Sequence, residues 1–285
     1  MAMVDIEHLR QWIGKVETST DCAATVPVQA LKATLDRKDI TAQAGDRLPP
    51  MWHMLYFLPI CKQSELSQNG HSKTGDFIPP VPLPLRMYAG GRTLFHQHLR
   101  VGDQMTRKST IADVSFRQGR TGPLIFVKIN HEISNDKGIA IAEEQDIVYR
   151  QKPVPGDPVP AYQEAPECED WLRELSADAV ILFRFSALTF NGHRIHYDYP
   201  YTTAEEGYPG LIVHGPLLAI LLLELLHQHL PGARVREFQF RAMKPVFATA
   251  PFAACGSAKD GGRVIHLWVR DTVGHLCLDA SATLA

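Results

Sequence analysis

Cysteine is scarce and scattered: Cys22, Cys61, Cys168, Cys255 and Cys277 are five in 285 residues, with no C-x-x-C pair among them. An odd number of widely spaced thiols argues against a disulfide framework and against a structural zinc site, and it fits a reducing cytoplasm. Net charge is equally slight. The 29 Lys and Arg against 31 Asp and Glu leave −2, so no bulk field recruits nucleic acid or an anionic membrane, and neither is expected as a partner. Long apolar runs are missing too: Leu217–Leu226, interrupted by Glu224, falls far short of the about 20 residues a bilayer needs and reads as a buried helix. The N-terminal segment MAMVDIEHLRQWIGKVETSTD reads as an amphipathic helix without the apolar core and cleavage site of a signal peptide, and is expected to be retained. There is no Gly-rich phosphate loop, so a phosphate-bearing ligand has to meet a local basic cluster.

What is present is a composition able to bury a core, 45% hydrophobic, in a chain about twice the commonest domain length of roughly 100–150 residues. Alternating apolar and polar residues predict antiparallel strands at Arg92–Arg100, Gln104–Phe116, Leu124–Ser134 and Gly138–Arg150, with a hairpin turn at Asn135–Gly138. The pattern recurs at Arg236–Phe240, Phe252–Ser257, Arg263–Arg270 and His275–Leu284, the last two joined by a turn at Asp271–Gly274. Each run follows an apolar segment read as a helix: Pro50–Leu58, closed by Pro59, and Gly215–Leu230, closed by Pro231-Gly232. A helix apolar all round is most simply buried by wrapping an antiparallel sheet around it. The chain therefore reads as α+β in two halves: residues 1–150, a Pro-rich and acidic linker in 151–170, and residues 171–285.

Chemistry concentrates in Phe183–Gly215, FRFSALTFNGHRIHYDYPYTTAEEGYPGLIVHG. Gly215 and Pro216 open the apolar helix, where free N–H groups and the positive helix end can meet a developing oxyanion. His193 and His196 can exchange protons near neutral pH, and Asn191 offers an amide to orient water. Histidines clustered in an aromatic loop are also common as plain surface or core groups, so the cluster alone does not fix a role. His193 and His196 stand three apart with no third ligand of evident role nearby, and no metal is expected.

The runs SALTFNGHRIHYD and GYPGLIVHG resemble the MaoC-like hydratase/dehydratase family of hot-dog proteins, and within it the double hot-dog branch. Gly90–Phe95 (GGRTLF) and Leu99–Asp103 (LRVGD) extend the resemblance into the first half. It implies two antiparallel sheets, each wrapping a central helix and packed as a pseudo-dimer. One active site per chain follows, carried by the second half, with the first half degenerate and serving as cleft wall. The activity implied is water addition to a CoA thioester without a cofactor, CoA being part of the substrate. On the family motif S-G-D-x-N-P-x-H-x-D, His196 takes the catalytic His position and Gly215 the oxyanion Gly position, whereas the catalytic Asp falls on Asn191 and the Asn on His193. An amide is no general base, so either His196 does the proton work with Asn191 holding water, or His193 takes over part of the base role; the first is favoured, with Asn191 and His193 as positioning partners and Asp198 either a carboxylate source or a turn cap.

Members of the branch act on branched C5 dicarboxylic CoA esters or on fatty-acyl thioesters. A free carboxylate would need a cation, for which Arg194 is the first candidate, followed by Arg92, Arg86, Arg184 and Arg241. Lys244 and His214 are further substrate-binding candidates, and Lys62–Asp76 is either a lid or a solvated loop. The expected reaction is isomerising hydration of itaconyl-CoA, by way of mesaconyl-C4-CoA, to citramalyl-CoA in itaconate degradation. The alternatives are hydration of 3-methylfumaryl-CoA alone, general 3-hydroxyacyl-thioester dehydration, and a scaffold that binds acyl-CoA without catalysis. A homodimer is left open.

Overall fold

The computed structural model describes residues 4–120, 122–152 and 161–285. The first half supplies β1 (Val16–Cys22), β2 (Leu85–Phe95), β3 (Gln104–Gly119), β4 (Gly122–Asn135) and β5 (Gly138–Arg150). The second supplies β6 (Trp171–Leu175), β7 (Val235–Ala242), β8 (Phe252–Lys259), β9 (Val264–Asp271) and β10 (Leu276–Leu284). The helices are α1 (Ile6–Arg10), α2 (Thr25–Thr34), α3 (Ala179–Leu188), α4 (Tyr199–Ala204) and α5 (Gly215–His229). All ten strands form one antiparallel sheet in the order β1-β3-β4-β5-β2-β7-β10-β9-β8-β6. The two half-sheets are thus hydrogen-bonded into one along a seam in which Gly90–Leu94 of β2 runs against Glu237–Arg241 of β7. At that seam a Cβ on Gly90 would lie 2.3 Å from the Phe240 oxygen, so glycine is what lets the strands meet.

The second half matches the expectation closely, with α5 packed on β6, β8, β9 and β10. Every residue from Leu217 to Leu226 is buried, and each fully buried leucine contributes about 1.5–3 kcal/mol of transfer free energy. Glu224 is the one charge in that stretch. Its carboxylate is met by Arg37, whose Nε lies 2.7 Å from Oε2 and whose guanidinium packs over Trp52.

The first half departs from expectation at its helix. Pro50–Leu58 forms only a single 3-10 turn, Trp52–Leu55. Met51 at φ 68 and Phe57 at φ 55 bound it in left-handed conformations, while Pro49, Pro50 and Pro59 prevent extension on either side. The first half's longest helix is α2 instead, with Pro27 tolerated in its first turn and Val28 and Leu31 buried. It packs against α3 and that 3-10 turn. The expected N-terminal helix shrinks to α1, capped by Asp5, because the residues after it pair with β3 as β1. Strand β2 runs Leu85–Phe95 rather than Arg92–Arg100, and the other predicted strands agree to within three residues at each end.

Residues 153–160 of the expected linker lie outside the described residues. Residues 161–170 lie against the second half, with Ala165 N–H donating to Gly274 O, Leu276 N–H donating to Gln163 O, and Glu169 paired to Arg270. Among the described residues no helix is long and apolar enough to cross a membrane.

Candidate active site

A cavity of about 980 Å³ is lined by residues of both halves. The second half contributes the end of α3, the loop after it and the start of α5; the first contributes a loop around His71 and the start of β2. After α3 the chain turns at Phe190, whose φ is 48. Asn191 N–H donates to Ser186 O, and Asn191 Oδ1 accepts the His193 N–H at 3.0 Å. This Asx turn delivers the chain into a 3-10 turn, Arg194–His196.

His196 is buried at the end of that turn, with Nδ1 2.7 Å from the Ile212 carbonyl oxygen. A carbonyl only accepts, so Nδ1 carries the proton and Nε2 presents its lone pair. Burial lowers the pKa to about 4 against the opposing pull of the Ile212 carbonyl, which leaves the ring neutral and able to take a proton. His214 stacks on it at 3.6 Å between centroids. Its Nε2 lies 2.8 Å from Ser186 Oγ, its ring is 1% exposed, and it is not on the cavity wall. The substrate contact expected of His214 therefore gives way to support of His196 from behind.

On the cavity side, His193 stands perpendicular to His196 at 5.5 Å and lies over His71 at 4.2 Å. His71 belongs to no motif; it arrives on the stretch Ser67–His71, inside the segment read as lid or solvated loop. There Asn69 Oδ1 accepts from Ser67 Oγ and from the His71 N–H, while Arg194 donates through its backbone N–H to Asn69 O and through Nη1 to Gln68 O. Gly70, at φ +90, sits so close to Gly192 that a Cβ would lie 1.8 Å from its carbonyl oxygen. The stretch is docked on the histidine motif. Burial, together with Arg86 and the neighbouring histidines, holds His71 and His193 well below the ordinary imidazole pKa.

Arg86, at the start of β2, lines the cavity, and its guanidinium has no hydrogen bond or ion pair among the described residues. Arg194 also lines it, but Nε and Nη2 are held by Asp198 Oδ2 at 2.9 and 2.7 Å, and the guanidinium lies 4.0 Å from the Tyr201 ring. Asp198 itself caps α4. Arg194, the first expectation for carboxylate recognition, thus has its charge already answered. Arg92 is exposed, pairs with Glu237 and lies off the cavity, as do Arg184 and Arg241. Lys244 lines the cavity with its ammonium held by Asp271 and beside His275.

Gly215 is the first residue of α5 and lies on the wall. His214 supplies no side-chain cap, no partner for the Gly215 N–H is present among the described residues, and a Cβ there would meet nothing within 4 Å. Glycine serves here by leaving open the space before a helix N-terminus, not by its dihedral freedom. Glu206, the one carboxylate on the wall among the described residues, accepts the Tyr201 O–H at 3.1 Å. Burial raises its pKa, with Lys152 and Arg150 among the opposing influences. The site therefore combines a neutral imidazole, an open helix N-terminus and a guanidinium with no partner among the described residues. Sequence reasoning missed His71, for which no local signal exists, and ranked Arg86 below Arg194 because pairing with Asp198 is a tertiary fact.

Residues 51–248 match the family model for hydroxyacyl-thioester dehydratase type 2. Mesaconyl-C(4)-CoA hydratase of Chloroflexus aurantiacus is 45% identical over 276 residues, 96% of each chain. The mitochondrial hydroxyacyl-thioester dehydratase type 2 of Schizosaccharomyces pombe is 25% identical over 82% of this chain and 88% of that one. Among solved structures, a MaoC-like dehydratase from Phytophthora capsici matches over 99% of both chains with TM-score 0.68 at 16% identity. A Mycobacterium tuberculosis protein described as having a double hotdog fold matches over 96% of both with TM-score 0.58 at 13% identity. At such identities the likeness concerns the fold, which is the double hot dog.

Proposed function

Because the chain belongs to the hydroxyacyl-thioester dehydratase type 2 family of MaoC-like hot-dog proteins, we propose that it is a hydro-lyase acting on a CoA thioester that bears a free carboxylate. Its substrates are itaconyl-CoA and mesaconyl-C4-CoA, its product is citramalyl-CoA, and no cofactor is consumed. In mesaconyl-C4-CoA the carboxylate is attached to Cβ, the carbon that takes water. His196 Nε2 accepts a proton from water as the O–Cβ bond forms, and the π electrons move to the thioester oxygen. The Gly215 N–H and the positive end of α5 meet that charge, a kind of contact worth about 10²–10³ in rate per donor. The imidazolium then gives its proton to Cα, which restores the neutral ring. With itaconyl-CoA the same base first takes a proton from Cα and returns it to the terminal methylene, forming the methyl group of mesaconyl-C4-CoA.

The observation that carries the choice of substrate is Arg86, on the cavity wall without an ion-pair partner among the described residues and close enough to depress His71 and His193. A cation that reads a carboxylate on Cβ has to share the cavity with the acid/base group, and Arg86 lines the same wall as His196 and acts on His71 and His193. Asn191 supports the same reading. A fixed carboxylate in its place would oppose the substrate's own, by about 4 kcal/mol for unit charges 4 Å apart at an effective dielectric near 20; an amide removes that repulsion. The five free cysteines favour a reducing cytoplasm. Initial rates with itaconyl-CoA, mesaconyl-C4-CoA and crotonyl-CoA test the proposal. Both dicarboxylic thioesters are expected to be turned over faster than crotonyl-CoA. Activity on mesaconyl-C4-CoA without itaconyl-CoA removes the isomerising step, and fastest turnover of crotonyl-CoA removes the carboxylate.

A further inference from the structure

We infer that His71, delivered by the first half, is a catalytic residue: the second acceptor for the water that His196 deprotonates. The inference rests on the proposed hydration. A water that attacks Cβ must aim one lone pair at carbon while its two O–H bonds are held, and holding it in that attitude is where much of the rate arises. His196 Nε2 takes one O–H. In the usual family motif a carboxylate stands ready for the other, and here that position is Asn191, whose Oδ1 already accepts the His193 N–H. Glu206 is engaged with Tyr201, has Lys152 and Arg150 among its charged neighbours, and makes no hydrogen bond to the histidines among the described residues.

His71 has what the role requires. It lines the cavity, lies over His193, which in turn meets His196, and its ring nitrogens have no hydrogen-bond partner among the described residues. Its backbone is fixed by the Asn69 turn, by two donations from Arg194 and by the contact of Gly70 with Gly192, so the ring is held at the motif. Arg86 is the foremost charge acting on His71, ahead of His193 and His196, whereas for His193 it comes after His196. Arg86, the cation assigned to the carboxylate on Cβ, lines the same cavity as the His71 ring, which lies 4.2 Å from His193. A neutral ring accepts the water's O–H without adding a second anion next to that carboxylate. The proton balance is unchanged: His71 accepts a hydrogen bond, and His196 alone takes the proton and returns it to Cα.

The test is steady-state kinetics of wild type, His71→Ala and His71→Gln on mesaconyl-C4-CoA, with added imidazole. For His71→Ala, kcat is expected to fall about 100-fold or more with KM within about threefold of wild type, the signature of an interaction made in the transition state. Gln keeps a neutral acceptor and is expected to recover about tenfold over Ala, and imidazole to restore part of the His71→Ala rate. A kcat within about threefold of wild type, a loss confined to KM, or His71→Gln no better than His71→Ala with no imidazole rescue overturns the inference. If His71→Ala does not fold, His71→Gln and His71→Asn are judged by the same kcat and KM criteria. Absence of wild-type turnover overturns the proposed function and this inference together; wild-type turnover with an unaffected His71→Ala overturns this one alone.

Discussion

Replacing Arg86 by Gln separates carboxylate recognition from the chemistry. The guanidinium has no partner among the described residues, so its removal strands no buried carboxylate there, and β2 keeps its pairing with β5 and β7. The loss falls on a bound ligand. Truncating one member of a hydrogen-bonded charge pair costs about 2–5 kcal/mol, and Arg86, being partly exposed, belongs at the lower end. At 1.4 kcal/mol per decade, kcat/KM for mesaconyl-C4-CoA and itaconyl-CoA is expected to fall about 30- to 300-fold. Crotonyl-CoA, which offers Arg86 no carboxylate, is expected to change by about threefold or less. A second effect tests the same geometry. Arg86 helps to depress His71 and His193, and removing a cation favours the imidazolium, so their pKa values rise. The acid limb of kcat/KM for crotonyl-CoA is accordingly expected to move to higher pH in the variant. Rates for the three thioesters from about pH 3 to pH 8, a span that takes in these depressed histidines, measure both effects. Proportional losses on all three substrates, or a preserved preference for the dicarboxylic ones, would refute the assignment of Arg86.

Gly215→Ala is expected to fold with an undiminished thermal midpoint, since the added Cβ meets nothing within 4 Å. It should nonetheless lower kcat by about tenfold or more, because the methyl group occupies the approach to the helix N-terminus; equal activity would remove the oxyanion assignment. Arg37→Ala leaves the Glu224 carboxylate, 8% exposed, without its partner, and is expected to cost about 3 kcal/mol in urea unfolding. A much smaller loss would mean that Glu224 finds water or protonates. His196 has a folded pKa of about 4 against an ordinary 6.5, so protonation favours the unfolded chain. Its contribution is complete above pH 6.5 and is lost as pH falls toward 4, by about 3 kcal/mol in all. His196→Gln should therefore flatten the acid slope of stability in that window, and an unchanged slope would contradict the neutral ring.

The strands were legible because alternation is a local signal: β3, β4, β5 and β7 to β10 lie where it predicts them. The helix α5 was legible because a continuous apolar run has one simple burial. The first-half helix was misread for a physical reason. PMWHMLYFL is apolar enough for a helix but too short between its prolines, and left-handed Met51 and Phe57 end it after one turn. The real helix, TVPVQALKAT, hides behind two β-branched residues and an early proline. At the site, His193 and His196 shared a turn and a motif, so their grouping was visible. His71 could not be found that way, because the contacts that make it a site residue cross from one half to the other: Gly70 on Gly192, Asn69 on Arg194. Arg86 was a candidate from the start, but its place ahead of Arg194 depends on the pairing of Arg194 with Asp198 in the folded chain.

The seam between β2 and β7 has a consequence for how such a chain can change over generations. In a symmetric pair of identical halves every substitution acts twice, so a residue that improves one cleft alters its twin. Here the halves share one sheet but not one sequence, and each is free to specialise: the first supplies the His71 loop and Arg86, the second His196 and α5. That freedom is hard to surrender. Residues 171–285 alone would lack a wall of the cavity and leave the edge of β7 unpaired, an invitation to aggregate. The second half thus depends on the first both for the partner of β7 and for a wall of its cavity.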